Sequence, residues 1–530
     1  MQPVFCWHKS AFCLPMRLNL NKKKFAEIKS QLPIPVFDQD AGLVDLYWQS
    51  WLLAWDHVRD LPGMKQTPYM DEGFCDTDIW IWDSCFMALF CKYAPQELFP
   101  GTATLENFYH ILHGNGELPR IIPQRIAEFA DSQRGEATQL YIHIADNPPL
   151  FAWAEYENAL FSGNVEHLEE LLFKNKYLQK HYDFLESLTR RITPRGVRYE
   201  TCLIKKDLGY LWEGGRSGMD NTPRGRIGKH AAAKRPNNPD MLWLDAICQQ
   251  ALAADCIARL ADLLGDEASR SFWDSRYQEK KAIVQEHYWD DRSGFFFDID
   301  CKTHEFYPVL TPASFWPLTA KIASAEQAAR TVRAIEDGDK LGGEYPWTSL
   351  SRSDADFNGE NGMYWRGSIW LPTAYAGLKG CLNYGFFDQA RDSALKLLQQ
   401  MYRTWREYSP HTIWECYNPS CCEPARSCDE NNRIVRPDFC GWSALGPISI
   451  FIECVIGIYY VDAFKRVVKW NLPGKISGIC GIKQLRFGNI TADLLASENT
   501  ITVVSDAAFT LIVDGKSCPI AAGTQTLLRS

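Results

Sequence analysis

Apolar residues recur at three- and four-residue spacing over residues 165–190, 241–264, 267–288, 323–335, 369–382 and 387–405. That period places them on one face of an α-helix. Residues 448–461 are more uniformly apolar, as suits an inner helix enclosed by other helices. From about residue 40 to 465 the helices recur in pairs without a literal sequence repeat, which predicts helical hairpins stacked around an axis. An all-α (α/α)6 barrel fits, with six inner and six outer helices and a site at one mouth. The loops between the pairs, over 114–124, 209–240, 342–364 and 408–442, combine Gly, Pro, Trp and charged residues. Long ordered loops in a compact fold are usually where function resides.

After about residue 465 the texture changes. Residues 500–504 and 509–513 are β-rich runs, and Asp514-Gly515 is a hairpin-turn signal. Residues 481–495 alternate poorly. The chain is therefore divided into an N-terminal extension (1–40), a helical barrel (41–465) and a small antiparallel β domain (466–530). At 530 residues it exceeds the usual size of one core.

Composition narrows the function. The net charge is −9, which argues against nucleic acid or an anionic membrane as partner, because both favour basic patches. The 19 Trp and 22 Tyr suit a site that stacks sugars, although large helical cores also use aromatics. The 18 Cys form no regular disulfide framework, and Met1 to Leu18 contains no apolar run of signal-peptide length. Both point to a reducing, cytoplasmic setting. Cys416, Cys421, Cys422 and Cys428 crowd one loop with His411 nearby, but no C-x-x-C spacing occurs, so free thiols are preferred to zinc. No H-E-x-x-H, G-x-G-x-x-G or Walker loop is present, and no cofactor is expected.

Two segments nearly two hundred positions apart each present a carboxylate in an aromatic, turn-rich setting. One is Trp212-Glu213-Gly214-Gly215-Arg216-Ser217-Gly218-Met219-Asp220-Asn221-Thr222-Pro223-Arg224. The other is Trp414-Glu415-Cys416-Tyr417-Asn418-Pro419. Asp220 lies between Gly218 and Pro223, on a tight loop. Taken alone it could be an Asx-turn, and Glu415 could be half of a surface ion pair. As an acid and a base from distant loops they match what glycosidic cleavage requires.

This pairing resembles the inverting α-glycosidases of glycoside hydrolase family 63 and their mannosylglycerate-hydrolase-like relatives, distant cousins of the trehalases. In that group a Ser-Gly-(Leu/Met)-Asp stretch supplies the general acid and a Trp-Glu-x-Tyr-(Asp/Asn)-Pro stretch the general base. Asp220 and Glu415 would take these roles, flanked by Trp212, Gly218 and Trp414. Trp80-Ile81-Trp82-Asp83 is similar to the family's first-helix motif, and implies that Trp80, Trp82 and Asp83 line the sugar pocket. Tyr364-Trp365-Arg366-Gly367-Ser368-Ile369-Trp370 resembles the signature Tyr-Trp-Arg-Gly-Pro-Ile-Trp, with Ser368 in place of Pro. It implies sugar stacking by Trp365 and Trp370 and a polar contact from Arg366. Asn147-Pro148-Pro149-Leu150 and the stretch 436–445 match weaker family segments. The resemblance spans about residues 70–460 and implies the (α/α)6 fold and inverting hydrolysis of an α-glucoside or α-mannoside in a short saccharide or glycosyl-glycerate.

Three other functions compete. A sugar epimerase of the same fold would use core histidines, and only 11 His occur, none suitably paired. A phosphorylase would bind phosphate where Glu415 repels it. A non-catalytic carbohydrate-binding protein would need neither carboxylate.

Overall fold

The computed structural model describes residues 24–73, 77–112, 114–122, 147–191, 201–226, 238–428 and 431–529. Residues 1–23 of the N-terminal extension, the end of the 114–124 loop and residues 227–237 of the 209–240 loop lie outside the described residues.

The helices that meet protein on all sides are buried all round and mostly apolar. Ile81–Cys91 and the π-helical Gly446–Ile456 are buried at every position. The partners outside them bury one stripe. Glu267–His287 buries only Trp273, Tyr277, Lys280 and Val284, spaced by three or four residues, and packs on Leu244–Leu263. Phe387–Glu407 likewise lays one face on Gly446–Ile456 and Leu371–Asn383. Ile81–Cys91 packs on Phe151–Ser162, which packs on Leu244–Leu263. That helix contacts Trp316–Thr319, which packs on Leu371–Asn383, and Leu371–Asn383 meets Gly446–Ile456, which returns to Ile81–Cys91.

Several boundaries depart from the sequence reading. The 165–190 helix is interrupted: Val165–Glu169 runs into a π turn, and Tyr177–Ser187 starts afresh after Lys176 takes φ 54°. The 323–335 helix is Ala325–Glu336, started by a capping box between Ser324 and Gln327. The apolar 448–461 run ends as a helix at Gly457, whose φ is 95° and where an added Cβ would lie 1.9 Å from the Asn471 carbonyl oxygen. Its remainder is the strand Ile458–Asp462.

The β region holds more strands than were legible. One sheet orders Ile34–Phe37, Cys480–Phe487, Ile490–Ala496, Thr500–Ser505 and Gly523–Leu528, every neighbouring pair antiparallel. A second orders Ile458–Asp462, Val467–Trp470, Phe509–Val513 and Lys516–Ile520. Its central pair, Val467–Trp470 with Phe509–Val513, is parallel, so the expectation of a wholly antiparallel tail is corrected. The residues that join that pair pass through the other sheet, a crossover that permits parallel pairing. The β region docks on the C-terminal ends of two inner helices: Trp470 Nε1 donates to the Ile456 carbonyl (2.8 Å), and Ala463 N to that of Leu160 (2.7 Å).

A further short-stranded sheet was not expected from sequence; its strand Met241–Leu242 takes the start of the expected 241–264 helix. The sheet orders Phe306–Tyr307, Asp298–Asp300, Met241–Leu242, Gly209–Leu211 and Ile204–Lys206. It delivers the chain directly to Trp212 and the Asp220 segment. Among the described residues no helix is long and apolar enough to cross a membrane.

Candidate active site

The candidate residues gather at the N-terminal ends of the inner helices. Trp80 and Trp370 are the N-cap residues of Ile81–Cys91 and Leu371–Asn383, and Asp83 sits in the first turn of the former. Helix starts leave amide donors unsatisfied and carry a positive partial charge, so polar ligands are well received there.

The Asp220 segment is shaped by small residues. Gly214–Ser217 forms one helical turn, and Gly218 follows with φ 89°. A Cβ on Gly218 would lie 2.5 Å from the Trp82 indole, so the loop rests directly on that ring. Asn147 Nδ2 supports it through the Arg216 carbonyl (2.9 Å). Beyond Asp220, Asn221 Nδ2 donates to the Met363 carbonyl (2.9 Å), and Asn221 Oδ1 accepts from Trp365 N (2.7 Å). The residue after the acid candidate therefore grips the backbone on both sides of Tyr364.

Tyr364 closes the circuit. Its hydroxyl donates to Oε1 of Glu415 (2.8 Å). The other oxygen of Glu415 accepts from Arg436 N (3.2 Å). The Glu415 backbone is held by Arg436, whose carbonyl accepts from Glu415 N (3.0 Å), and by Trp442, whose Nε1 donates to the Glu415 carbonyl (2.8 Å). An antiparallel bridge between Ile369 and Tyr417 ties this loop to the Tyr364 segment.

Burial is the main influence on Glu415 and pushes its pKa up; the Tyr364 hydroxyl and the amide and charge of Arg436 pull it back, while Asp220 adds to the rise. Burial beside Glu415 and Asp220 also lifts the Tyr364 hydroxyl well above its ordinary range. Asp83 is pushed up to about 8, by burial above all; its backbone hydrogen bond and Arg120 oppose the rise, and Glu415 and Asp220 reinforce it. Asp83, Asp220 and Glu415 thus share one electrostatic neighbourhood.

The remaining candidates divide. Trp82 meets Trp442 edge to face, 5.8 Å between ring centres, and stays with the cluster. The Arg120 guanidinium lies over Trp80 at 5.4 Å. The stacking role implied for Trp365 and Trp370 finds no open indole face. Their rings stack on each other at 4.1 Å, each residue is 1% exposed, and Trp370 Nε1 donates to the Tyr364 carbonyl (3.2 Å). They back Tyr364, which is itself only half-buried. Arg366 engages the Asn221 carbonyl (3.3 Å) and Asp356 (3.4 Å). Trp212 is buried against Trp243, and Trp414 against Tyr408. Gly218 and Asp220 remain partly accessible.

Four residues of this region were not singled out as site residues from sequence. Asn221 stands inside the acid motif, and its position beside Asp220 was the available signal. Arg436 and Trp442 lie in the weakly matched stretch 436–445. Glu72 carries no sequence signal at all: it is fully buried, both its carboxylate oxygens lack a hydrogen-bond partner among the described residues, and Gly441 N donates to its carbonyl. Among the described residues no cluster of His, Cys, Asp and Glu is arranged to hold a metal, and every described cysteine, including Cys416, Cys421, Cys422 and Cys428, is a free thiol.

The chain is similar to several known proteins. An uncharacterized protein of Borreliella burgdorferi is 25% identical over 468 residues, 86% of each chain. A probable trehalase of Eremothecium gossypii is 26% identical over 208 residues, 39% of this chain and 28% of its own length. The chain therefore spans under a third of that trehalase. Among solved structures, a family 63 mannosylglycerate hydrolase from Thermus thermophilus, in complex with Tris and D-glycerate, superposes with a TM-score of 0.55 at 18% identity, over 76% of this chain and 99% of that one. A sialidase superposes with a TM-score of 0.64 at 13% identity, over 94% of this chain and 40% of that one. Residues 77–429, more than half of the chain, match the domain described as mannosylglycerate hydrolase MGH1-like glycoside hydrolase, and the span includes Asp83, Asp220, Tyr364 and Glu415. The chain belongs to the mannosylglycerate-hydrolase-like glycoside hydrolases of family 63.

Proposed function

We propose that this protein is an inverting α-glycosidase in which Asp220 is the general acid and Glu415 the general base. The observation that carries this reading is the Asn221–Tyr364–Glu415 connection, which joins the two carboxylate-bearing loops at one place. Glu415 accepts a hydroxyl and an amide, bonds that favour an ionised carboxylate able to polarise water. Asp220, on a half-accessible loop against Trp82, is the donor to the departing oxygen. Inversion requires water between base and anomeric carbon, with carboxyl groups about 6.5–9.5 Å apart. Asp83 and Trp82 line the sugar site, with Asp83 bonding sugar hydroxyls.

The substrate is an α-glucoside or α-mannoside in a short saccharide or glycosyl-glycerate, in keeping with the names of the mannosylglycerate hydrolase and trehalase relatives. The cyclic order of inner-helix contacts supports an (α/α)6 barrel. The helical region, read from sequence as residues 41–465, carries the chemistry; the β region, read as 466–530, supports it from the far ends of the helices. The free thiols fit a cytoplasmic setting.

The test is a panel of α-glucosides, α-mannosides, trehalose and mannosylglycerate, assayed with and without phosphate, with anomeric products followed by NMR. Release of the inverted sugar independent of phosphate, lost in Asp220→Asn and Glu415→Gln, is expected. A retained configuration, a phosphate requirement or near-normal turnover in either variant contradicts the assignment.

A further inference from the structure

Four residues beyond Asp220, Arg224 is 1% exposed and fully engaged. Its Nε and Nη2 donate to the two oxygens of Asp298 (2.9 and 2.6 Å). Its Nη1 and Nη2 donate to the two oxygens of Asp245 (2.7 and 3.1 Å). The guanidinium lies over the Trp243 ring at 4.6 Å, and Nη1 is 3.6 Å from the sulfur of Met219, the residue before Asp220.

The two acceptors are themselves fixed. Asp245 is in the first turn of Leu244–Leu263, and Asp298 begins the strand Asp298–Asp300. Oδ1 of Asp298 also accepts from Leu244 N (2.8 Å). One side chain thereby pins the acid-bearing loop to a helix start and a sheet together. Burial opposes the charge on Arg224, but Asp245 and Asp298 outweigh it and hold the guanidinium above its ordinary range. A buried ion cluster of this kind is a weak source of stability compared with well-packed apolar residues. What it supplies is a forked, directional anchor that lysine cannot reproduce. The loop it anchors is rich in glycine, at 214, 215 and 218, and would be mobile without one.

We propose that Arg224 is a positioning residue for proton donation: clamped by Asp245 and Asp298, it holds the Met219–Asp220 turn so that the Asp220 carboxyl meets the leaving-group oxygen. This rests on the reading of Asp220 as the acid. A displaced acid slows only reactions that need its proton. An α-glycosyl fluoride leaves with little protonation, whereas an O-glycoside with a poor leaving group depends on it.

The experiment compares wild type, Arg224→Lys, Asp245→Asn and Asp220→Asn on an O-glycoside that the wild type cleaves and on the matching glycosyl fluoride. Arg224→Lys keeps the charge and loses the fork. It is expected to lower kcat on the O-glycoside about 10–100-fold, the size of effect a misplacement near 1 Å produces, with KM little changed. On the fluoride its kcat should stay within about threefold of wild type, because little protonation is needed there. Asp245→Asn should show a smaller loss in the same sense, and it decides the matter if Arg224→Lys does not fold. Equal losses on both substrates, or unchanged kcat in a folded variant, overturn the proposal. If Asp220→Asn itself shows no dependence on leaving group, the acid assignment fails and this inference with it. If Asp220→Asn shows that dependence and the Arg224 and Asp245 variants do not, only the positioning role fails.

Discussion

The Tyr364 hydroxyl donates to Oε1 of Glu415 at 2.8 Å across 51 positions of sequence. The same tyrosine is flanked by Met363 and Trp365, which Asn221 holds from the neighbouring loop. One phenol therefore bonds the Glu415 carboxylate while its neighbours on both sides are held by Asn221, the residue after Asp220.

Tyr364→Phe should raise the pKa of Glu415, because the lost hydrogen bond favours the ionised form. The acid limb of the kcat/KM profile, where the base becomes protonated, should move to higher pH. Turnover at the optimum should fall about 10–100-fold, in the range typical for weakening general base catalysis. A pH–rate series on both proteins reads this; an unmoved limb, or one displaced to lower pH, contradicts the role.

Gly218→Ala should damage the site twice over. The residue adopts φ 89°, and the added methyl would start 2.5 Å from the Trp82 ring. A strained left-handed residue costs about 1–3 kcal/mol. Urea denaturation should show a loss of that order, with kcat falling more than stability alone explains, since the Asp220 turn must shift. A variant with wild-type stability and turnover would show that the loop does not rest on Trp82.

Glu72 should make the fold lose stability as pH rises above the ordinary carboxyl range. It is buried without a hydrogen-bond partner among the described residues, and burial first, then Asp83 and Asp71, raise its pKa well above the ordinary value. The folded chain therefore keeps a proton that the unfolded chain releases. The cost grows by about 1.4 kcal/mol per pH unit above the unfolded pKa, until the folded pKa is passed. Glu72→Gln removes this cost, so its stability relative to wild type should improve between about pH 5 and about pH 8. Denaturation midpoints at the two pH values provide the check; an equal difference at both contradicts it.

Toward the C-terminal ends of the inner helices, away from the proposed site, Lys92 and Lys379 share Glu157 and Glu453 in a largely buried cluster. Tyr93 and Tyr375 hydroxyls also donate to Glu453 (2.8 and 3.0 Å). Lys379→Met leaves carboxylate charge uncompensated, and should destabilise the fold by about 3–5 kcal/mol. Chemical denaturation measures the loss, while KM, set at the other end of the helices, should hold. A loss below about 1 kcal/mol, the size of a surface ion pair, would show that the cluster is solvated.

How much of this was legible differs by element. The outer helix Glu267–His287 was read correctly because Trp273, Tyr277, Lys280 and Val284 form a stripe that local sequence displays. Cys480–Phe487 was missed because its alternation is broken: the register slips between Ile482 and Leu485, and Gln484 takes φ 57°. A bulge adds a residue to one strand, so the two-residue period fails although the strand persists. Ile458–Asp462 was absorbed into the preceding helix because both are apolar, and only Gly457 separates them.

The site divides in the same way. The motifs around Asp220 and Glu415 are contiguous, so their chemistry, turn geometry and family resemblance are properties of short segments. The sequence by itself determined that two carboxylates sit in glycine- and aromatic-rich loops and that helices pair across most of the chain. Tertiary structure alone decided that Asn221 and Tyr364 link those loops, since hydrogen bonds between remote residues leave no local pattern. It also decided that Trp365 and Trp370 face each other: an indole's residue type shows that it can stack, but the partner is whichever surface the fold brings within 4.1 Å.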